Sequence, residues 1–203
     1  MAVVKLKNQR VGIFIDTQNL YHSAKNLYQS RVNFGNILKD GLADRILVRA
    51  IAYVTSTESG DETAFFGALA KMGIEAKTKD LQIFYGGAKK ANWDIDLTVD
   101  AIKLAPKLDV IIIVSGDGDF VPLVEYLQAQ SQVEVMAFGK SASGKLREAA
   151  DDFIDLCADP DRYLLRAARP RSRGKGGNRG GRSTHGPVGA EPESSGESGA
   201  LLE

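Results

Sequence analysis

The 203-residue chain has one cysteine, Cys157, and two histidines, His22 and His185. A single cysteine excludes an internal disulfide and any cysteine-based zinc cluster. Two histidines exclude a multi-histidine metal site and leave few options for a Ser-His-Asp triad. No run approaches the roughly 18–20 uninterrupted apolar residues of a membrane helix, so no membrane partner is expected. The opening stretch, MAVVKLKNQRVGIF, lacks a long apolar segment followed by a cleavage site, so export is not expected either. These absences point to a soluble, cytoplasmic protein. What the chain does have is 43% hydrophobic and 26% charged residues, enough apolar material for a core without a metal or disulfide staple.

The formal net charge is zero, but its two signs are unevenly placed. Residues 1–165 carry 19 Lys and Arg against 22 Asp and Glu, whereas residues 166–203 carry 7 against 4. All seven basic residues of the second part lie within 166–182, in a Gly-, Pro- and Ser-rich stretch almost free of large apolar side chains. Such a segment cannot bury enough surface to offset its ordering entropy. The sequence therefore predicts a folded domain over 1–165 and a disordered tail over 166–203, Arg/Gly-rich and then acidic. A basic tail of this kind is a candidate for binding nucleic acid through phosphate charge with little sequence preference, or else a solubilising terminus.

Within 1–165, strand-like and helix-like segments alternate. Residues 11–15 (VGIFI) and 110–114 (VIIIV) are short apolar runs that suit strands covered on both faces. Residues 46–54, 74–77, 81–85, 133–138 and 153–156 read as further strands. Helical spacing appears after residue 16, and over 36–42, 62–72, 94–104, 120–129, 144–150 and 160–167. Asp61 is a good N-cap for the third of these. In the 94–104 helix, Ile95, Val99 and Ile102 form the expected apolar face. The alternation predicts a three-layer α/β/α sandwich around a mostly parallel sheet. Ligands bind such sheets beyond the C-terminal strand ends, where the strand order reverses.

Carboxylates stand at those ends. Asp16 follows the first strand, with Asn19 one helical turn on. Ser115, Gly116, Asp117, Gly118 and Asp119 follow the VIIIV strand, the glycines allowing a sharp turn and close approach to a ligand. A third acidic segment, Asp94, Asp96 and Asp100, opens a helix, and residues 96 and 100 share one face. Each group alone is more simply a cap or a solvated face. Converging, they form an oxygen-only site of high negative charge, which suits Mg²⁺ or Mn²⁺ and needs neither histidine nor cysteine. Such a site activates water and shields charge on a phosphodiester.

Other motifs fail on spacing. Gly139-Lys140-Ser141 lacks the glycine a phosphate loop needs at position 134, where Glu stands. Asp117-Gly118-Asp119 lacks the later ligands of a calcium loop, with Val121 and Leu123 in their places. Gln18 stands where a haloacid-type phosphatase has its second Asp. Lys89 and Lys90 are candidates for phosphate contacts, or part of a solvated loop. Trp93 and Tyr85 are candidates for base stacking, or for ordinary packing.

The set Phe14-Ile15-Asp16-x-x-Asn19-Leu20, Lys89/Lys90 with Asp94-Ile95-Asp96-x-x-Val99-Asp100, and Ser115-Gly116-Asp117-Gly118-Asp119-Phe120-Val121-Pro122-Leu123 resembles the NYN domain, in particular its LabA-like branch, a relative of the PIN-domain ribonucleases. The likeness spans about residues 10–157. It implies a PIN-like sandwich and a Mg²⁺- or Mn²⁺-dependent nuclease site acting on RNA. The family's acids fall on Asp16, Asp94, Asp117 and Asp119, with Asp100 as a further acid and Asn19 as the polar residue after the first strand. Thr17 stands where the family often has glycine, and the approach to the acidic helix is longer than usual. On this reading Asp16, Asp94, Asp117, Asp119 and Asp100 hold metal, and Asn19, Ser115, Lys89 and Lys90 position substrate. The competing expectation is an RNA-binding or regulatory adaptor that keeps the fold without turnover. Oligomeric state stays open.

Overall fold

An apolar run such as VIIIV has no solvated face, so both sides of its strand need cover. In the computed structural model, which describes residues 3–56, 62–80, 82–83, 89–90 and 93–165, all five residues of that strand are buried. In chain order, β1 (Arg10–Asp16) leads directly into α1 (Thr17–Tyr28), followed by β2 (Arg31–Val32), α2 (Phe34–Leu42), β3 (Ile46–Ser56) and α3 (Glu62–Lys71). Then come β4 (Glu75–Asp80), the short strands β5 (Gln82–Ile83) and β6 (Lys89–Lys90), and α4 (Asp94–Leu104). The chain continues through β7 (Val110–Val114), α5 (Val121–Leu127), β8 (Gln132–Ala137), α6 (Gly144–Ala149), β9 (Asp152–Asp155), α7 (Pro160–Tyr163) and β10 (Leu164–Leu165).

Six strands form one parallel sheet in the order β4-β3-β1-β7-β8-β9. The chain winds outward from β1 in both directions, so the order reverses between β1 and β7. Side chains of these two central strands alternate between two cores. Ile13 and Ile15, with Ile112 and Val114, pack under α1, α2 and α3 through Leu20, Ala24, Ile37, Leu38 and Leu69. Phe14, Ile111 and Ile113 pack on the other face against Leu97 and Ala101 of α4, Leu123 and Leu127 of α5, and Leu146 of α6. This is the expected three-layer α/β/α sandwich. Two antiparallel pairs, β2 with β10 and β5 with β6, lie outside the main sheet.

Several expectations change in detail. The helix foreseen over 120–129 splits into a 3-10 turn, Gly118–Phe120, and α5. That over 160–167 stops at Tyr163, because Leu164 and Leu165 extend to pair with β2. The apolar face of α4 is reversed: Ile95, Val99 and Ile102 are exposed, whereas Leu97 and Ala101 are buried. Two forces turn the helix this way. Small Ala101 and Ala105 permit close approach to the sheet, and Asp96 and Asp100 face lysines on β4. Asp61, Tyr85 and the tail 166–203 lie outside the described residues.

Beneath the sheet, Arg45 sits just before β3 with its guanidinium inaccessible to solvent. It donates to both carboxylate oxygens of Glu134 on β8, at 2.6 and 2.9 Å, and to the carbonyls of Gly41 and Leu42. Breaking one side of such a pair strands a charge, at a cost of about 3–5 kcal/mol. Glu134→Ala is therefore expected to lower stability by that amount in urea unfolding. Replacing both partners with apolar residues should recover most of it. A single-variant loss under about 1 kcal/mol would show that the pair contributes little.

Candidate metal centre

The C-terminal ends of β1 and β7 are adjacent, with Ile15 paired to Val114. Asp16 closes β1 and caps α1, its Oδ1 accepting from the Asn19 amide at 3.0 Å. Its Oδ2 accepts from the Ser115 hydroxyl at 3.1 Å, and Ser115 in turn accepts from the Asp117 amide at 3.2 Å. The Asn19 side-chain oxygen accepts from the Gly116 amide at 2.9 Å. Asp117 caps the following 3-10 turn through the Asp119 amide at 3.0 Å. Asp16 and Asp117 thus both act as caps at strand ends, the simpler expectation for each acid taken alone.

Gly116 and Gly118 do not take left-handed conformations; among the described glycines only Gly73 does. Their requirement is space. A Cβ on Gly116 would stand 3.0 Å from the Ala142 Cα, and one on Gly118 would stand 2.9 Å from the Ser143 hydroxyl. The acidic turn is pressed against the 141–143 loop, whose Ser143 amide donates to the Gly116 carbonyl.

Asp94, the first residue of α4, reaches this turn. One carboxylate oxygen from each of Asp94, Asp117 and Asp119 lies within 4.8 Å of the others. Oxygens sharing one Mg²⁺ stand at most about 4.2 Å apart, so small side-chain rotations bring all three into one shell. Asp94 and Asp117 are half-buried and Asp119 is exposed. Asp16 feels the charges of Asp94 and Asp117 but is not one of the mutually close trio. It is 8% exposed, and burial raises its pKa against the opposing bonds from Asn19 and Ser115. The charges of Asp94 and Asp117 raise it further. The donor set is all oxygen and strongly anionic, which fits a hard divalent cation.

Lysines neutralise the neighbouring acids. Lys77 and Lys79 alternate on β4, and Asp96 and Asp100 are one turn apart on α4. Lys77 bonds Asp100 at 2.6 Å and Lys79 bonds Asp96. The buried Tyr53 hydroxyl also donates to Asp100, at 2.8 Å. Burial pushes Asp100 upward, but these two bonds outweigh it and hold the carboxyl below its usual range. The Tyr53 hydroxyl is pushed well above its ordinary value, by burial first and then by the Asp100 bond. Among the described residues Asp117 and Asp119 form no ion pair.

The model of the NYN domain matches residues 10–157. The chain belongs to the NYN domain family. It is 28% identical over 171 residues to the Low amplitude and bright protein LabA of Synechococcus elongatus, covering 79% of this chain and 90% of that protein. A crystal structure of a Vibrio parahaemolyticus protein of unknown function superposes with a TM-score of 0.72 at 30% identity, covering 80% of this chain and all of the other.

Against the expectations for an NYN domain, the geometry sorts the residues. Asp94, Asp117 and Asp119 meet, with Asp16 beside them. Asp100 does not join them; its Oδ2 takes the bonds from Lys77 and Tyr53. Ser115 is fully buried, so it cannot line a substrate surface and instead orients Asp16. Asn19 ties α1 to the acidic turn. Trp93 is buried against Tyr53, with ring centroids 5.5 Å apart, so it packs in the core and offers no open face for a base. Lys89 and Lys90 form β6, and their side chains lie outside the described residues. Tyr53, Lys77 and Lys79 were missed in the sequence. Their signal is period-two lysines on a strand facing period-four acids on a helix.

Asp100→Asn should therefore leave Mn²⁺ affinity within about threefold of wild type in calorimetric titration, while Asp117→Asn weakens it at least tenfold. Equal losses for the two would place Asp100 among the ligands. Asp16 gives a pH signature. Its raised pKa means ionisation works against folding, so Asp16→Asn should melt higher than wild type near pH 7 without metal. The gain should shrink as pH falls through the raised pKa of Asp16 and vanish below the ordinary carboxylate range, where the group is protonated both folded and unfolded. A variant less stable at every pH would contradict this electrostatic account.

Proposed function

We propose that this NYN domain is a Mg²⁺- or Mn²⁺-dependent endoribonuclease that hydrolyses phosphodiester bonds of single-stranded RNA. The observation that carries it is the sorting of acids: lysines neutralise Asp96 and Asp100, while Asp94, Asp117 and Asp119 converge with no ion pair among the described residues at Asp117 or Asp119. Family membership supports the same chemistry. Asp94, Asp117 and Asp119 hold the cation, with Asp16 behind them. When bound, the cation supplies a nucleophilic water at neutral pH and shields charge developing on phosphorus.

The chain's own residues do the rest. Asp119, the exposed member of the trio, orients the attacking water. Asp16, fixed by Asn19 and Ser115, keeps negative charge behind the cation so that it stays in the pocket. Ser115 acts on Asp16 and not on substrate. The acidic pocket repels RNA by itself, so affinity comes from the cation, from Lys89 and Lys90, and from the basic residues of 166–182.

The test is incubation of the full chain with labelled single-stranded RNA and Mn²⁺. Cleavage is expected, lost on chelation and reduced at least a hundredfold in Asp117→Asn, with the far-ultraviolet dichroism of that variant unchanged. Salt-sensitive RNA binding without cleavage under any divalent metal would replace this reading with that of a non-catalytic RNA-binding adaptor.

A further inference from the structure

α4 has two apolar stripes and the sandwich buries only one. The stripe left outside is Ile95, Val99 and Ile102, exposed by 74%, 39% and 37%. Spacing of four and three residues puts them on one helix face. Ile95 is more exposed than any other large apolar side chain among the described residues. Tyr126, on α5 in the same helical layer, is 56% exposed. Isolated exposed apolar residues need no explanation, but a continuous stripe on one helix marks a contact surface.

We propose that this stripe is where a second copy of the chain docks, the two α4 helices crossing antiparallel about a two-fold axis at Val99. Isologous pairing is the commonest way a surface meets itself. Centred on Val99, it sets Ile95 against the partner's Ile102, so the apolar stripe covers itself end to end. The charges beside the stripe match in this orientation. At about 100° per residue, Asp96 and Lys103 lie on the same flank of the stripe. An antiparallel two-fold brings like flanks together. Lys103 is four residues after Val99 and Asp96 three before it, so at about 1.5 Å per residue Lys103 falls beside the partner's Asp96, and the reverse. Lys103 is exposed and has no ion pair among the described residues. Asp96 uses Oδ2 for Lys79, leaving its other oxygen. On the opposite flank Thr98 meets the partner's Thr98.

The stripe is smaller than the roughly 1,200–2,000 Å² of a standard interface. The dimer is therefore weak, and its population rises with concentration. Sedimentation equilibrium of the full chain from about 5 to about 200 µM tests it. The wild-type mass should climb from one chain toward two. Val99→Asp should hold it at one throughout, and Lys103→Glu should move the transition to at least tenfold higher concentration. Tyr21→Asp, an exposed position in the opposite helical layer, should behave as wild type. Should Val99→Asp fail to fold, Lys103→Glu decides. A wild-type mass of one chain across the whole range overturns the proposal, as does a folded Val99→Asp or a Lys103→Glu that associates as wild type does. Association unchanged in both variants would place the contact on another face.

Discussion

The Asp16 carboxylate is buried and, among the described residues, forms no ion pair. The described residues bury three side chains of the acid or guanidinium type: Asp16, Arg45 and Glu134. The last two neutralise one another in a two-pronged pair. Asp16 has two hydrogen bonds, from the Asn19 amide and the Ser115 hydroxyl. A hydrogen bond to a charged group contributes about 1.5–3 kcal/mol, whereas desolvating an ion costs several. The two bonds offset part of the cost, and the raised pKa shows the remainder. Topology explains why the group cannot escape. β1 is flanked by strands on both sides and helices on both faces, so the residue that ends it sits at the floor of the cleft where the strand order reverses.

The rest of the acidic region follows from how the chain distributes its lysines. Five carboxylates crowd around α4 and the turn after β7. Alternate positions of β4 project to one face, and positions four apart on α4 do the same, so two lysines meet two acids in register. That pairing does two things at once. It removes Asp96 and Asp100 from the repulsion, and it fixes the rotation of α4 that sends Asp94 toward Asp117 and Asp119. The same rotation turns Ile95, Val99 and Ile102 outward. One set of ion pairs on an edge strand thus sets the rotation of α4 and leaves an apolar stripe exposed beside them.

Much of the sandwich is legible in the sequence because VGIFI and VIIIV can be satisfied in only one kind of environment, a strand covered on both faces. The strand-end acids are legible for the same reason: once the strands are known, their C-terminal neighbours are known. The role of Asp100 is not legible, because its partners Tyr53 and Lys77 stand 47 and 23 residues away and are joined to it only by the fold. The face of α4 is misread because its two stripes have the same period. Larger, β-branched residues favour burying Ile95, Val99 and Ile102; the small Ala101 and Ala105, and the lysines of β4, decide otherwise. The glycines of the acidic turn are legible as a need for close approach, but the neighbour is the 141–143 loop, which no local pattern announces.

A closed ring of hydrogen bonds joins the ends of β1 and β7. The Asn19 amide holds Asp16, Asp16 holds the Ser115 hydroxyl, and Gly116, next in the chain, donates back to the Asn19 side chain. Breaking any one bond frees a buried polar group, so the ring is more rigid than its members taken singly. Asp117 and Asp119 extend it through backbone donors, and Asp117 spends only Oδ1 on its cap. Asp16 and one oxygen of Asp117 are therefore held by the fold, and the entropy of fixing them is spent during folding. On the proposed reading, a divalent cation shared by Asp94, Asp117 and Asp119 would relieve their repulsion, and an all-oxygen donor set beside the fixed Asp16 would suit a small, hard ion.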